Sequence, residues 1–190
     1  MNSLFVTLLI GGATGVLLGT AGAKIWAAAR TRLAWPQGAN FLRFHLSSNF
    51  VIAAEIVVSA IALGIPDHRI VSLLLAIIYA GFVVGATTLK GQECGCFGIE
   101  GMKVGPAHIW GCALTAAALL ASTVGSEEIA SPRPLRLVVA LASAVVMTVA
   151  MQLWNRLTRT EVDDTHHDRL FIVLSPTCTA CSALKVMENH

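Results

Sequence analysis

The sequence predicts an all-α integral membrane protein: a bundle of four core transmembrane helices plus a fifth, followed by a short C-terminal strand–CxxC–helix segment. Three observations carry that reading. Of the 190 residues 55% are hydrophobic and only 13% are charged, whereas soluble domains are about a quarter charged. The mean hydropathy is +0.72. The apolar residues fall into five long runs, each close to the ~20 residues a bilayer core requires, and polar connections with proline, glycine or charge separate them. A net charge of +2, with no basic patch interleaved with aromatics, argues against nucleic-acid binding. The expected surroundings are a lipid bilayer.

The first run, Leu4–Ala29, is too long for a signal-peptide core and lacks a basic leading segment, so it reads as a span. Its glycines at 11, 12, 15, 19 and 22 are the small residues that let helices approach closely in lipid. Trp26 and Trp35 stand where an interfacial aromatic belt is expected. Ala34–His45 is a polar, aromatic connection expected to lie along the membrane surface. The second span, Leu46–Ile65, ends at Pro66-Asp67-His68-Arg69, and the third is Ile70–Leu89. So short a connection predicts a tight hairpin of spans two and three. Lys90–Pro106, with five glycines, is a loop; Ala107–Val124 is the fourth span and Leu135–Leu153 the fifth. Residues 1–125 therefore read as one four-helix domain, 126–156 as the fifth helix with its loop, and 157–190 as a linker and an incomplete thioredoxin-like segment.

The five cysteines are too few for a disulfide scaffold, and four of them are paired in a way that suggests redox or metal chemistry. Cys94 and Cys96 are one residue apart in the glycine-rich loop. A disulfide between them closes a small strained ring, and strain makes such a bond labile. Gly95 supplies the dihedrals the ring needs. The competing readings are two incidental thiols and half of a soft-metal site. Cys178 and Cys181 follow the apolar stretch Leu170–Leu174 and Ser175-Pro176-Thr177, an order of strand, turn, CxxC and helix. A cysteine at a helix N-terminus has its thiolate favoured. Cys178 is thus the expected nucleophile and Cys181 the resolving thiol. Zinc, with His166, His167 and His190 nearby, is the competing reading there. No metal site is expected on balance.

Within the spans, Glu55 is the one acidic residue, and ionisable groups there are costly and usually paired or functional. Lys24 is its natural partner, as a structural ion pair or as a site of proton handling or substrate contact. Cys112 and His108, four residues apart, share one face of the fourth span. They read as supporting residues beneath the cysteine loop, Cys112 alternatively as a small buried residue. Charge near the span ends is uneven: Lys24, Arg30, Arg32, Arg43, Lys90, Lys103, Arg156 and Arg159 on the cysteine side, against Arg69, Arg133 and Arg136. The positive-inside rule places that side in the cytoplasm. Both cysteine pairs are expected on the same side.

The string Gly19-Thr20-Ala21-Gly22-Ala23-Lys24, Glu55 in the second span, and Cys94-Gly95-Cys96-Phe97-Gly98 before the fourth resemble the methylamine utilisation protein MauE family, relatives of the DoxX-like membrane proteins. The resemblance covers residues 1 to 125. Leu174–Cys181 resembles the active-site segment of that family's thioredoxin-like partner, MauD. The resemblance implies a multi-pass protein of the bacterial inner membrane in redox maturation of exported proteins, as in disulfide formation of methylamine dehydrogenase, on the periplasmic side. It implies a thioredoxin-like partner or client thiols, no tightly held cofactor, and catalysis by Cys94, Cys96, Cys178 and Cys181. A client thiol or a membrane quinone would complete the relay. The alternative is a non-catalytic membrane accessory subunit with structural or metal-binding cysteines.

Overall fold

The computed structural model describes residues 3–30, 40–41, 44–45, 47–91, 104–124 and 132–159. The loop with Cys94 and Cys96, Trp35, and the segment with Leu170–Leu174, Cys178 and Cys181 lie outside the described residues. The chain divides into two units, Met1–Asn155 and Arg156–His190, and the helical bundle belongs to the first.

Five helices form the described fold: α1 (Ser3–Ala29), α2 (Ser48–Gly64), α3 (His68–Thr88), α4 (Pro106–Thr123) and α5 (Arg133–Arg159). Between α1 and α2, two-residue strands β1 (Asn40–Phe41) and β2 (Phe44–His45) pair antiparallel, with Asn40 opposite His45. The helix starts follow from capping chemistry. The Ser47 hydroxyl accepts the Phe50 amide, and the Asp67 carboxylate accepts the amides of Arg69 (2.8 Å) and Ile70 (3.3 Å). Gly105 precedes α4 and Pro106 opens it, a position where the missing N–H costs nothing.

α1, α3 and α5 are long and apolar enough to cross a membrane. α2 has 17 residues and α4 has 18, about 26–27 Å at 1.5 Å per residue, against a ~30 Å hydrocarbon core. The bundle holds buried polar side chains within an apolar core, and its outer surface is apolar. Thr7, Thr14, Lys24, Glu55, Ser59, Ser72, Ser122 and Arg136 are buried, while Ile56, Ile77, Leu114, Leu141 and Val146 are exposed. An exposed apolar surface of this kind suits lipid and not water.

The core is built from α1 to α4: Ile10 and Leu17 meet Val58 and Ala62, Val71 and Leu75, and Ala116 and Leu119. The packing corrects one expectation. Although only Ile65–Asp67 separate α2 from α3, that pair is not the tight hairpin. α3 packs most extensively on α4, and α1 on α2. The buried face of α4 is Cys112, Ala116, Leu119 and Ser122, and Ser122 Oγ lies 2.9 Å from Ser72 Oγ of α3.

α5 is attached through α1. A Cβ on Gly15 would stand 2.3 Å from the Ala140 carbonyl oxygen, one on Gly11 2.8 Å from Val139, and one on Gly19 3.2 Å from the Ala144 oxygen. These glycines recur every fourth residue and form a seam in which two helices meet backbone to backbone. Gly12 lies at the edge of this seam, 3.9 Å from Ser143 Oγ, and Gly22 meets nothing within 4 Å. Arg136, counted above among the charges at the membrane edge, turns inward instead. It is fully buried, and its Nη1 donates to the carbonyls of Ala62 (2.9 Å) and Ile65 (2.8 Å) at the end of α2. Those carbonyls are among the acceptors a helix C-terminus leaves unmet.

Candidate functional site

Lys24 and Glu55 meet inside the bundle. Lys24 lies near the end of α1 and Glu55 about two turns into α2, so antiparallel packing brings them level. Lys24 Nζ donates to Glu55 Oε1 at 2.5 Å, and both side chains are 3% exposed. The pairing foreseen from the sequence is therefore present. Thr20, one turn before Lys24, lies beside the carboxylate, and its hydroxyl donates to the Leu17 carbonyl. Removing two charges from water costs several kcal/mol each, and an apolar pair of equal volume would serve packing as well or better. Such a pair marks a place where charge itself is of use.

Around it stand side chains from the two remaining core helices. His108, in the first turn of α4, is within electrostatic reach of Lys24. Tyr79 of α3 is within reach of both Glu55 and Cys112, and its hydroxyl donates to the Ala13 carbonyl of α1 at 2.9 Å. Cys112, one turn after His108, is buried and free. The four supporting residues read from the sequence thus converge on one end of the bundle. Tyr79 was missed because an aromatic in an apolar run looks like core until its hydroxyl finds a partner on another helix. Ser59, one turn beyond Glu55, was missed because a lone serine in an apolar run looks like a small packing residue. Among the described residues no three His, Cys, Asp or Glu side chains come together as a metal set requires.

The same end anchors the cysteine loop. The loop leaves α3 at Gly91, whose φ of +81° favours glycine, and returns at Val104. The Gly91 amide donates to the Val104 carbonyl at 3.1 Å. Ala86, Leu89 and Val104, with Ile109, form a small apolar clamp beneath this junction. Both feet of the segment holding Cys94 and Cys96 are therefore fixed at the level of the α4 N-terminus, where His108 lies. Exposed Trp26, Trp110 and Trp154 also lie at this end, with Arg30 stacked 4.2 Å over Trp26. Amphipathic rings of this kind favour a membrane–water boundary.

Comparison with protein-family models, with characterised proteins and with solved structures gave no match.

Proposed function

We propose that the chain is a five-span protein of the bacterial inner membrane that performs thiol–disulfide exchange in the maturation of a client protein. The observation that carries the reading is the convergence of Lys24, Glu55, His108 and Cys112 at the end of the bundle where the Cys94/Cys96 loop is tied down. The resemblance to the MauE family, and of the C-terminal CxxC to MauD, adds the chemistry. A client dithiol gives two electrons and two protons to the Cys178–Cys181 disulfide, Cys178 forming and Cys181 resolving the mixed disulfide. The reduced pair then passes them to the Cys94–Cys96 disulfide, and a membrane quinone would take them up as the quinol. Methylamine dehydrogenase is the type of client the resemblance suggests.

With Lys24 and Arg136 turned inward, the charge comparison loses one residue from each side and still favours a cytoplasmic cysteine face; the family resemblance favours the periplasm. Labelling from the two sides separates them.

The test is a trapping experiment in lipid nanodiscs. In a Cys181→Ser variant, Cys178 cannot be resolved, so a mixed disulfide between Cys178 and Cys94 or Cys96 should accumulate and be found by peptide mapping. Full client oxidation by both Cys96→Ser and Cys178→Ser variants would sink the relay. The accessory-subunit reading draws on the exposed apolar strip of α5, of which only 11% is buried over its most apolar stretch. Stoichiometric tight zinc, or thiols that never change redox state, would favour it.

A further inference from the structure

Two buried polar atoms near the ion pair have no protein partner: Glu55 Oε2 and Ser59 Oγ. Both residues are almost fully enclosed, at 2% and 0% exposure. They are four residues apart on α2, hence stacked on one face with Cβ atoms ~5–6 Å apart. No direct bond joins the two atoms, and neighbours on one helix face at this spacing suit one bridging molecule.

Ser59 differs from the other buried hydroxyls. Ser72 is hydrogen-bonded with Ser122, and Thr7, Thr14, Thr20 and Ser122 each donate to a carbonyl three or four residues back in their own helix. This is the usual way such side chains are satisfied in an apolar helix. Ser59 does not do so. A buried hydroxyl or carboxylate oxygen without a partner costs about 1–3 kcal/mol or more, and native proteins meet that cost with internal water.

We propose that Glu55 Oε2 and Ser59 Oγ hold a water molecule between them, forming a proton-exchanging site inside the bundle. The site lies toward the end that carries Lys24 and His108. Toward the other end it is closed by Leu17, Ala62, Leu75 and Leu119, all at 0–1% exposure. The side chains beside the carboxylate are Lys24 and Thr20 from α1 and Tyr79 from α3; from α4, His108 lies within reach of Lys24 and Cys112 within reach of Tyr79. Lys24 occupies Oε1 alone, which leaves Oε2 free to take or release a proton through the water. In thiol–disulfide exchange the attacking thiol loses one proton and the departing thiolate gains one. A site that accepts and returns a proton completes that balance. This use rests on the redox reading; the site itself does not.

The experiment is infrared difference spectroscopy of the full chain in nanodiscs, comparing light and heavy water across the acid and neutral pH range. A carboxyl band that shifts in heavy water within minutes is expected, absent in Glu55→Gln and displaced in Ser59→Ala. Ser59→Ala keeps the ion pair, so it remains informative if Glu55→Gln fails to fold. Thr115→Ala, which removes an exposed hydroxyl bonded to Gly111, should change nothing. No exchangeable carboxyl band, or bands unmoved by Ser59→Ala, would overturn the proposal. The band should persist in a Cys94→Ser/Cys96→Ser variant, so loss of the redox reading and loss of the proton site are told apart.

Discussion

Replacing Gly15 by alanine tests the α1–α5 seam. The added methyl would meet the Ala140 carbonyl oxygen at 2.3 Å and Ser143 Cβ at 2.6 Å. The first is backbone and cannot rotate away. Restoring an ordinary contact of ~3.4 Å requires the helices to part by roughly 1 Å, and a gap of 0.5–1 Å forfeits a quarter to a half of each dispersion contact along the seam. Overpacking of this kind costs about 1–3 kcal/mol. For a chain of this length 2 kcal/mol corresponds to a fall of roughly 4–8 °C in Tm. The assay is thermal unfolding in mild detergent across an alanine series. Gly15→Ala should be worst. Gly11→Ala, whose methyl meets Val139 at 2.8 Å, should follow, and Gly19→Ala, at 3.2 Å from the Ala144 oxygen, should be milder. Gly12→Ala and Gly22→Ala, with nothing closer than 3.9 Å, should stay within about 0.5 kcal/mol of the parent or gain slightly from helix propensity. Equal effects at Gly15 and Gly22 would refute the seam.

Two further substitutions probe the buried charges. Lys24→Met or Glu55→Met alone should destabilise the bundle by about 3–5 kcal/mol, because each strands the opposite charge. The double variant should be more stable than either single one, and a double-mutant cycle in detergent reads the difference; strict additivity would show that the pair is not coupled. Arg136→Met removes two charge-assisted bonds to Ala62 and Ile65, partly offset because it also removes the buried, unpartnered Nε and Nη2, and should cost about 1–2 kcal/mol. Amide hydrogen exchange should show the loosening concentrated in the last turn of α2. Arg133→Met is the control, and an equal effect there would mean that Arg136 acts only through charge.

Much of the bundle can be read from apolar runs alone, since a span needs length and composition and little else. The long runs at 4–29, 70–89 and 135–153 appear as α1, α3 and α5 within a few residues. Lys24 and Glu55 could be paired because two opposite charges inside apolar runs have few other choices. Which helices pack together was not legible. Loop length suggested an α2–α3 hairpin, yet a short connection constrains only the ends, and side-chain packing decides the rest: glycines on α1 draw α5 in. Arg136 misled for a related reason. An arginine near a span end has one sequence signature whether it snorkels outward or turns in to cap a neighbouring helix.

The most direct test of the redox account is thiol trapping in intact cells with a membrane-impermeant maleimide, read cysteine by cysteine before and after mild reduction. The account predicts that Cys94 and Cys96 react only after reduction, and from the same side as Cys178 and Cys181. Labelling from outside would place the exchange in the periplasm, and labelling only after lysis would place it in the cytoplasm. Full labelling of Cys94 and Cys96 without any reductant, in growing and in oxidised cells alike, would contradict the redox account.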